Sequence, residues 1–275
     1  MKKRSELPQI AEAGDGRAPL DGDRQFVAAL WRGMEVLRVF GPRDDGLSNQ
    51  EIAARTGFSP STVSRLTYTL SVMGHLRYVA RDGRYRLGMP VLGLGLACLA
   101  GLAIRQIAHP LMQELADFAG PGNLVSLSMR EGLSMTYIHS VRAETQMSLS
   151  LDLGTRINLA RSSAGRVWLA ACPDDEREAV LARIATEEAG GPALVRSLRE
   201  GIESVRTKGY ALNIGGWRPG VNVVAVPIAP QGSDQTVYAL GCGGPSYRLT
   251  PEYLEGEIAP RLLDITRRIA ASRPG

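Results

Sequence analysis

The sequence predicts an α+β chain in two parts: a winged helix-turn-helix of three helices and a hairpin, then a larger domain with a mostly antiparallel sheet. Three observations carry this. A helix that starts at Ser48 is stopped by Gly57, and another starts at Ser59, so only a tight turn separates them. Just after them the apolar period changes from about 3.6 to 2, around Asp82-Gly83. Beyond residue 120, short alternating runs are interleaved with helical ones.

Residues 1–24 mix Gly, Pro and both charges without apolar periodicity and read as a mobile tail. From Phe26, the residues Val27, Leu30, Met34 and Leu37 recur at helical steps until Gly41-Pro42. Ser48 with Glu51 three residues on has capping-box spacing, and Ile52 and Ala53 face inward. Ser59 is a natural N-cap before Pro60, with Val63, Leu66 and Leu70 as the buried stripe and Gly74 as the stop. Residues 76–80 and 85–87 alternate as strands around the Asp82-Gly83 turn. The stretch 89–118 reads as helix broken near Pro110. Strands are expected at 123–129, 135–139, 147–151, 210–214, 221–228 and 236–242. Helices are expected at 163–171, 174–185 and 192–207, with a last one after Thr250-Pro251.

The 275 residues carry 32 basic and 28 acidic side chains, and the excess is local. Residues 1–100 hold 14 bases against 10 acids, and the remainder 18 against 18. Between residues 52 and 88 stand Arg55, Arg65, Arg77, Arg81, Arg84 and Arg86 with the single acid Asp82. A basic segment beside a neutral remainder implies a polyanion partner for one part only. At 44% apolar and 22% charged, the chain is not disordered as a whole. Cys98, Cys172 and Cys242 lack metal-ligand or disulfide spacing, which fits a reducing cytoplasm. No apolar stretch follows the basic N-terminus as in a signal peptide. The apolar run 89–104 is 16 residues, short of the roughly 20 a spanning helix needs.

A helix held by apolar contacts to its predecessor can present its other face to the major groove. Here that face is Ser61, Thr62, Ser64, Arg65 and Tyr68. Arg65 can form a bidentate pair with guanine, worth about 1–3 kcal/mol of discrimination, while the hydroxyls contact phosphates or base edges. Arg81 and Arg84 on the hairpin are expected to reach a flanking backbone or minor groove.

Phe26-Val27-x-Ala29-Leu30-x-Arg32-Gly33-Met34, Glu51-Ile52-Ala53-x-x-Thr56-Gly57, Ser61-Thr62-Val63-x-Arg65-Leu66 and Tyr85-x-Leu87-Gly88 resemble the N-terminal half of IclR-type bacterial transcriptional regulators. Gly154-Thr155-Arg156-Ile157, Ser163-Ala164-Gly165-Arg166-Val167-Trp168, Lys208-Gly209-Tyr210 and Val224-Ala225-Val226-Pro227 resemble the C-terminal half in order and spacing. The resemblance covers residues 25–270. It implies a DNA-binding domain at 25–88, a linker and dimerisation helix at 89–104 and a GAF-like effector-binding domain at 105–272. It also implies homodimers or dimers of dimers on operator DNA, with a small organic effector and no cofactor or metal. In the linker, Leu92, Leu96, Leu99 and Leu102 would pack on a partner subunit.

The effector pocket in the family lies against the helix that opens here at Ser162-Ser163-Ala164. Free N–H groups at a helix start favour a carboxylate, so Arg161 with the amides of Ser163 and Ala164 is expected to clamp one. Asn158, Ala160 and Pro230 stand where the family usually has proline, often has histidine and often has an acid. A less polar lining of Met129, Met135, Tyr137, Leu151, Val223 and Cys242 would suit an aromatic or aliphatic acid. Walker A, GxSxG, GxGxxG and HExxH patterns are absent, so no enzyme is expected. The competing non-enzymatic reading is an architectural DNA-binding protein without an effector.

Overall fold

The computed structural model describes residues 25–41, 44–143, 153–230 and 236–272. The tail at 1–24 and the strand expected at 147–151 fall outside them. The chain divides into two compact units, one ending at Gly101 and the other beginning at Leu102.

In the first unit, α1 (Ala28–Arg38), α2 (Asn49–Thr56) and α3 (Pro60–Val72) precede β1 (Leu76–Val79), β2 (Arg84–Leu87) and α4 (Met89–Ala100). The helix starts follow from the local chemistry. The Ser48 hydroxyl accepts from the Glu51 amide and the Glu51 carboxylate accepts from the Ser48 amide, completing the capping box. Gly57, at φ 71°, lets the chain leave α2 in the left-handed region while its N–H bonds the Ala53 carbonyl. Ser59 caps α3 through the Thr62 amide, with Pro60 in the first turn. Val36, Leu47, Ile52, Val63, Leu70 and Leu76 form the core. Burying each such side chain contributes roughly 1.5–3 kcal/mol. Leu47 and Tyr85 exchange main-chain hydrogen bonds of 2.9 and 2.8 Å, which pins the hairpin to the approach of α2. By contrast, α4 buries none of its residues.

The second unit is built on one six-stranded sheet, in the order β5-β4-β3-β8-β7-β6, with every neighbouring pair antiparallel. The strands are β3 (Leu124–Glu131), β4 (Ser134–Arg142), β5 (Arg156–Asn158), β6 (Ala211–Ile214), β7 (Val221–Ile228) and β8 (Tyr238–Pro245). Helices cover both faces. One carries α5 (Ala103–Ala119) and α10 (Ala259–Ser272), which follows the short α9 (Pro251–Tyr253) and a π-helical stretch at Leu254–Ile258. The other carries α6 (Ser163–Ala171), α7 (Asp174–Glu187) and α8 (Gly191–Lys208). Val125, Leu127, Val224, Val226, Leu240 and Cys242 point to the first face, while Leu124, Ala225 and Ala239 point to the second. Buried Arg177 donates to the Leu169 and Cys172 carbonyls at the end of α6, placing a cation where the helix leaves acceptors unpaired.

Two expectations change. The helix at 89–118 is interrupted at Gly101 and Leu102, and Pro110 sits inside α5. An interior proline costs about 3 kcal/mol. Here Ile104, Ala108, Leu111, Met112, Leu115 and Ala116 are buried along the same helix, which outweighs that cost. Pro110 and Gln106 are exposed, so water can reach the carbonyl left without a donor. β5 was not expected, because three residues are too few to establish a period.

A register shift at Leu127 and Ser128 leaves Ile138 as the extra residue on β4 and turns His139 toward α5. There the ring nitrogens of His109 and His139 lie 2.9 Å apart. Burial, then the neighbouring His109 and Arg105, hold the His139 pKa below its ordinary 6.5. A lowered folded value means that the unfolded chain binds the proton more readily. The associated stability is therefore present above about pH 6.5 and lost as the pH falls through the folded value. Melts at pH 7.5 and 5 should show a smaller acid loss for His139→Gln than for the wild type.

Gly165 packs so closely that a Cβ there would penetrate the Leu159 carbonyl. Gly165→Ala should cost roughly 1–3 kcal/mol and lower the thermal midpoint by several degrees in a calorimetric scan.

Candidate nucleic-acid interface and ligand cleft

The outward face of α3 is set by what its inward face must do. Val63, Thr67 and Leu70 are buried, and Thr67 donates to the Val63 carbonyl and to Asn49 Oδ1 on α2, fixing the two helices together. Ser61, Ser64, Arg65 and Tyr68 are consequently exposed, Tyr68 at 71%. Thr62 is half-buried and shares a hydrogen bond with Ser59. The guanidinium of Arg65 has no hydrogen-bond or ionic partner among the described residues, and neither do those of Arg77 and Arg81.

The other arginines of the basic segment are committed. Arg84 donates to the Gly46 carbonyl at 2.7 Å and to Glu51 at 3.1 Å, tying the hairpin to α2. Arg84, expected with Arg81 to reach a flanking backbone or minor groove, is thus already engaged within its own unit. Arg55 holds Asp44 and the Val39 carbonyl, and Arg86 holds Asp45 and Asp82. The hydrogen bond from Arg55 is the largest influence lowering Asp44 to a pKa of about 2. For Glu51, hydrogen bonds from Ser48 come first and the charge of Arg84 adds to them. Sequence counting missed this because the pairing acids, Asp44, Asp45 and Glu51, lie just outside the window in which the arginines cluster.

In the second unit a cleft lies between the sheet and the start of α6. β3 supplies Ser126 and Ser128, β4 Tyr137, β5 Ile157, β7 Val223 and Ala225, and β8 Ala239 and Gly241. The start of α6 adds Ser162, Ser163 and Ala164, with Asn213 from β6 and Trp217 from the loop after it. The cavity is about 20 Å³, room for about one water molecule. None of the described lining residues is charged. Ser162 caps α6 through the Gly165 amide, leaving the first-turn amides of Ser163 and Ala164 without acceptors inside the helix. The Tyr137 hydroxyl bonds Ser126, and burial raises its pKa above the usual phenol value, so it stays protonated near neutrality.

The structure therefore brings Tyr137, Ser162, Ser163, Ala164 and Val223 to one cleft, and Ser126, Ser128, Asn213 and Trp217 join them unforeseen. Met129 and Cys242 lie with the core on the opposite face, and Met135 is fully buried under α6 without reaching the cleft. Arg161 is exposed, and its guanidinium donates to the Ala189 carbonyl at 3.3 Å, outside the cleft lining. The clamp expected of its side chain is not assembled. Its main chain is fixed instead, with the N–H on Asn158 Oδ1 and the carbonyl accepting from Asn213. Leu151 lies outside the described residues.

No group of three or more His, Cys, Asp or Glu that could hold a metal occurs among the described residues. Burial pushes the Cys172 and Cys242 thiols up to about 11 and about 12, so neither is a thiolate at neutral pH.

Residues 29–80 match the IclR helix-turn-helix domain, and residues 96–271 match the bacterial transcriptional regulator IclR C-terminal domain. The chain is 30% identical over 265 residues to the Pca regulon regulatory protein of Pseudomonas putida, covering 94% of this chain and 89% of that one. It is 29% identical to the HTH-type transcriptional regulator TsaQ1/TsaQ2 of Comamonas testosteroni, covering 97% and 94%. The crystal structure of an IclR family transcriptional regulator from Brucella abortus matches at a TM-score of 0.83 with 44% identity, covering 92% and 94%. With both domains matched in order, and with the exposed α3 face and the C-terminal sheet on which those domains are built, this chain belongs to the IclR family of bacterial transcriptional regulators.

Proposed function

We propose that the chain binds double-stranded operator DNA in the cytoplasm as a homodimer or dimer of dimers, and that a small organic acid held in the cleft modulates that binding. The observation that carries the DNA reading is the outward face of α3. It presents one unpaired guanidinium, Arg65, among small hydroxyls on a helix whose other face is locked to α2. Arg65 is the base reader, flanked by Ser61, Thr62, Ser64 and Tyr68. Arg81 contacts the phosphate backbone, and Arg84 positions the wing.

The cleft suits an acid through donors rather than through a cation. The Ser163 and Ala164 amides and the hydroxyls of Ser126, Ser128 and Tyr137 can receive a carboxylate or a hydroxyl group. Ile157, Val223, Ala225 and Ala239 offer an apolar bed. An architectural protein would have no use for such a cleft. Binding at that site can shift DNA affinity only if the DNA-bound and free states hold the acid differently.

The dimer reading rests on α4. Met89 is 74% exposed, and Leu92, Leu94 and Leu96 are each more than half exposed. A helix apolar all round and buried nowhere in its own unit marks an association surface. No single helix among the described residues is long and apolar enough to cross a membrane. Leu92→Glu combined with Leu96→Glu should convert the protein to monomers in sedimentation velocity and weaken operator binding.

Operator sequences selected from a random duplex pool, followed by anisotropy titrations at several salt concentrations, test the DNA reading. Arg65→Ala should cost about 1–3 kcal/mol and relax preference at one or two base positions. Arg81→Ala should weaken all sequences alike and reduce the salt slope by about 1 per subunit. Arg84→Ala should lower affinity together with the thermal midpoint, which Arg81→Ala leaves in place. An unchanged sequence preference in Arg65→Ala would overturn its role as base reader.

A further inference from the structure

The cleft as it stands is narrow. Its volume of about 20 Å³ compares with the roughly 300 Å³ and more that ligand pockets enclose, so no organic acid fits without displacement of the wall. Of the described lining residues, all but one belong to strands or to the start of α6, where the main chain is held by a sheet register or a helix cap. The exception is Trp217, the bulkiest of them.

Trp217 sits half-buried against the core under α6–α8, on the loop at 215–220 between β6 and β7. Gly215 and Gly220 flank it with φ of 65° and 76°, and a Cβ at either would meet nothing within 4 Å. Side-chain amides hold the loop at two main-chain points. The Trp217 N–H donates to Asn213 Oδ1 at 3.0 Å, and the Gly215 N–H donates to Asn222 Oδ1 at 3.1 Å. Both asparagines are buried and fixed in turn, Asn213 on the Arg161 carbonyl and Asn222 on the Leu249 carbonyl. Main-chain bonds from Gly215 to the Val221 carbonyl, from Val221 to the Arg218 carbonyl and from Ser246 to the Gly220 carbonyl fix the ends of the loop. Among the described residues, Trp217 itself is thus held only through its N–H to Asn213, with Gly215, Gly216 and Gly220 in the same loop.

We propose that Trp217 is the gate and size filter of the cleft. The indole swings out on the 215–220 loop to admit a ligand, and how far it can close again decides which acids are held. Asn213 links the closed gate to the Arg161 carbonyl, two residues before α6, so a gate held open releases the Trp217 N–H from the side chain that holds that carbonyl. This inference rests on the cleft being the effector site, and the test separates the two.

Protein labelled with 5-fluorotryptophan, with Trp217→Phe assigning the resonance, reports the gate without any ligand. Fluorine relaxation dispersion should show millisecond exchange at Trp217 and none at Trp168; a Trp217 resonance free of exchange overturns the gate. Calorimetry with benzoate and 2-naphthoate then reads the filter. Trp217→Ala should raise the preference for 2-naphthoate over benzoate by about tenfold or more relative to the wild type. An unchanged ratio overturns the filter. Ser128→Leu fills the floor of the cleft without touching the loop and should abolish binding of both acids. If Ser128→Leu still binds them, or if neither acid binds any form of the protein, the reading of the cleft as a site for such acids fails. The exchange measurement then decides the gate alone.

Discussion

The constraint on which the C-terminal half depends is the alternation of side chains across a sheet covered on both faces. In a sheet with one wet face, a one-residue slip exposes apolar residues and is easily recognised as an error. Here both faces take small and apolar residues, so the parity of each strand decides whether a residue joins the core under α5 and α10 or faces the cleft under α6. Val125 pairs with Cys242 and Ser126 with Gly241. The first pair lies in the core, and the second lines the cleft. The cleft exists because the cleft-side positions of the central strands are Ser126, Ser128, Ala239 and Gly241. All are small, so the helix that starts at Ser162 stands over a hollow rather than over packed side chains.

A similar division between holding and presenting governs the basic segment. Arg55, Arg84 and Arg86 are spent on Asp44, Glu51, Asp45 and Asp82, where they brace the turn before α2 and tie the hairpin to that helix. Exposed ion pairs of this kind contribute on the order of 0–1 kcal/mol each, so their effect is on geometry more than on stability. They leave Arg65, Arg77 and Arg81 as the cations facing outward. A patch that counts as strongly basic is thus half scaffold, and the charge available to a polyanion is carried by α3, β1 and the tip of the hairpin.

The polar character of the cleft follows from hydrogen-bond saturation. Asn158 accepts from the Arg161 amide and donates to Glu188. With Asn213 on the Arg161 carbonyl, the chain entering α6 is fixed from both sides. Its side chain is free to turn outward, and it does. What remains at the cleft is a set of neutral donors, in which an anion would be stabilised by amide and hydroxyl dipoles without the desolvation penalty of a buried guanidinium.

Features that depend on a few neighbouring residues were legible in the sequence. The Ser48–Glu51 box, the Ser59-Pro60 start and the left-handed exit at Gly57 are closed within one helical turn, and the residues name them without reference to the rest of the chain. The bounds 163–171 and 221–228 were accessible through periodicity and a helix start, whereas Tyr137, Ser162, Ser163, Ala164 and Val223 were named because the family resemblance implies a pocket against the start of that helix. Only the tertiary structure decided the remainder. Ser126 and Ser128 became cleft residues, and Met129 and Cys242 core residues, through pairing register between strands more than a hundred residues apart. Arg84 became a strut through Glu51, 33 residues away. Trp217 reached the cleft because the loop after β6 folds back over it. Local sequence specifies turns, caps and periods because their energies are local; which face a strand shows and which acid an arginine meets are set by partners that only the folded chain brings within reach.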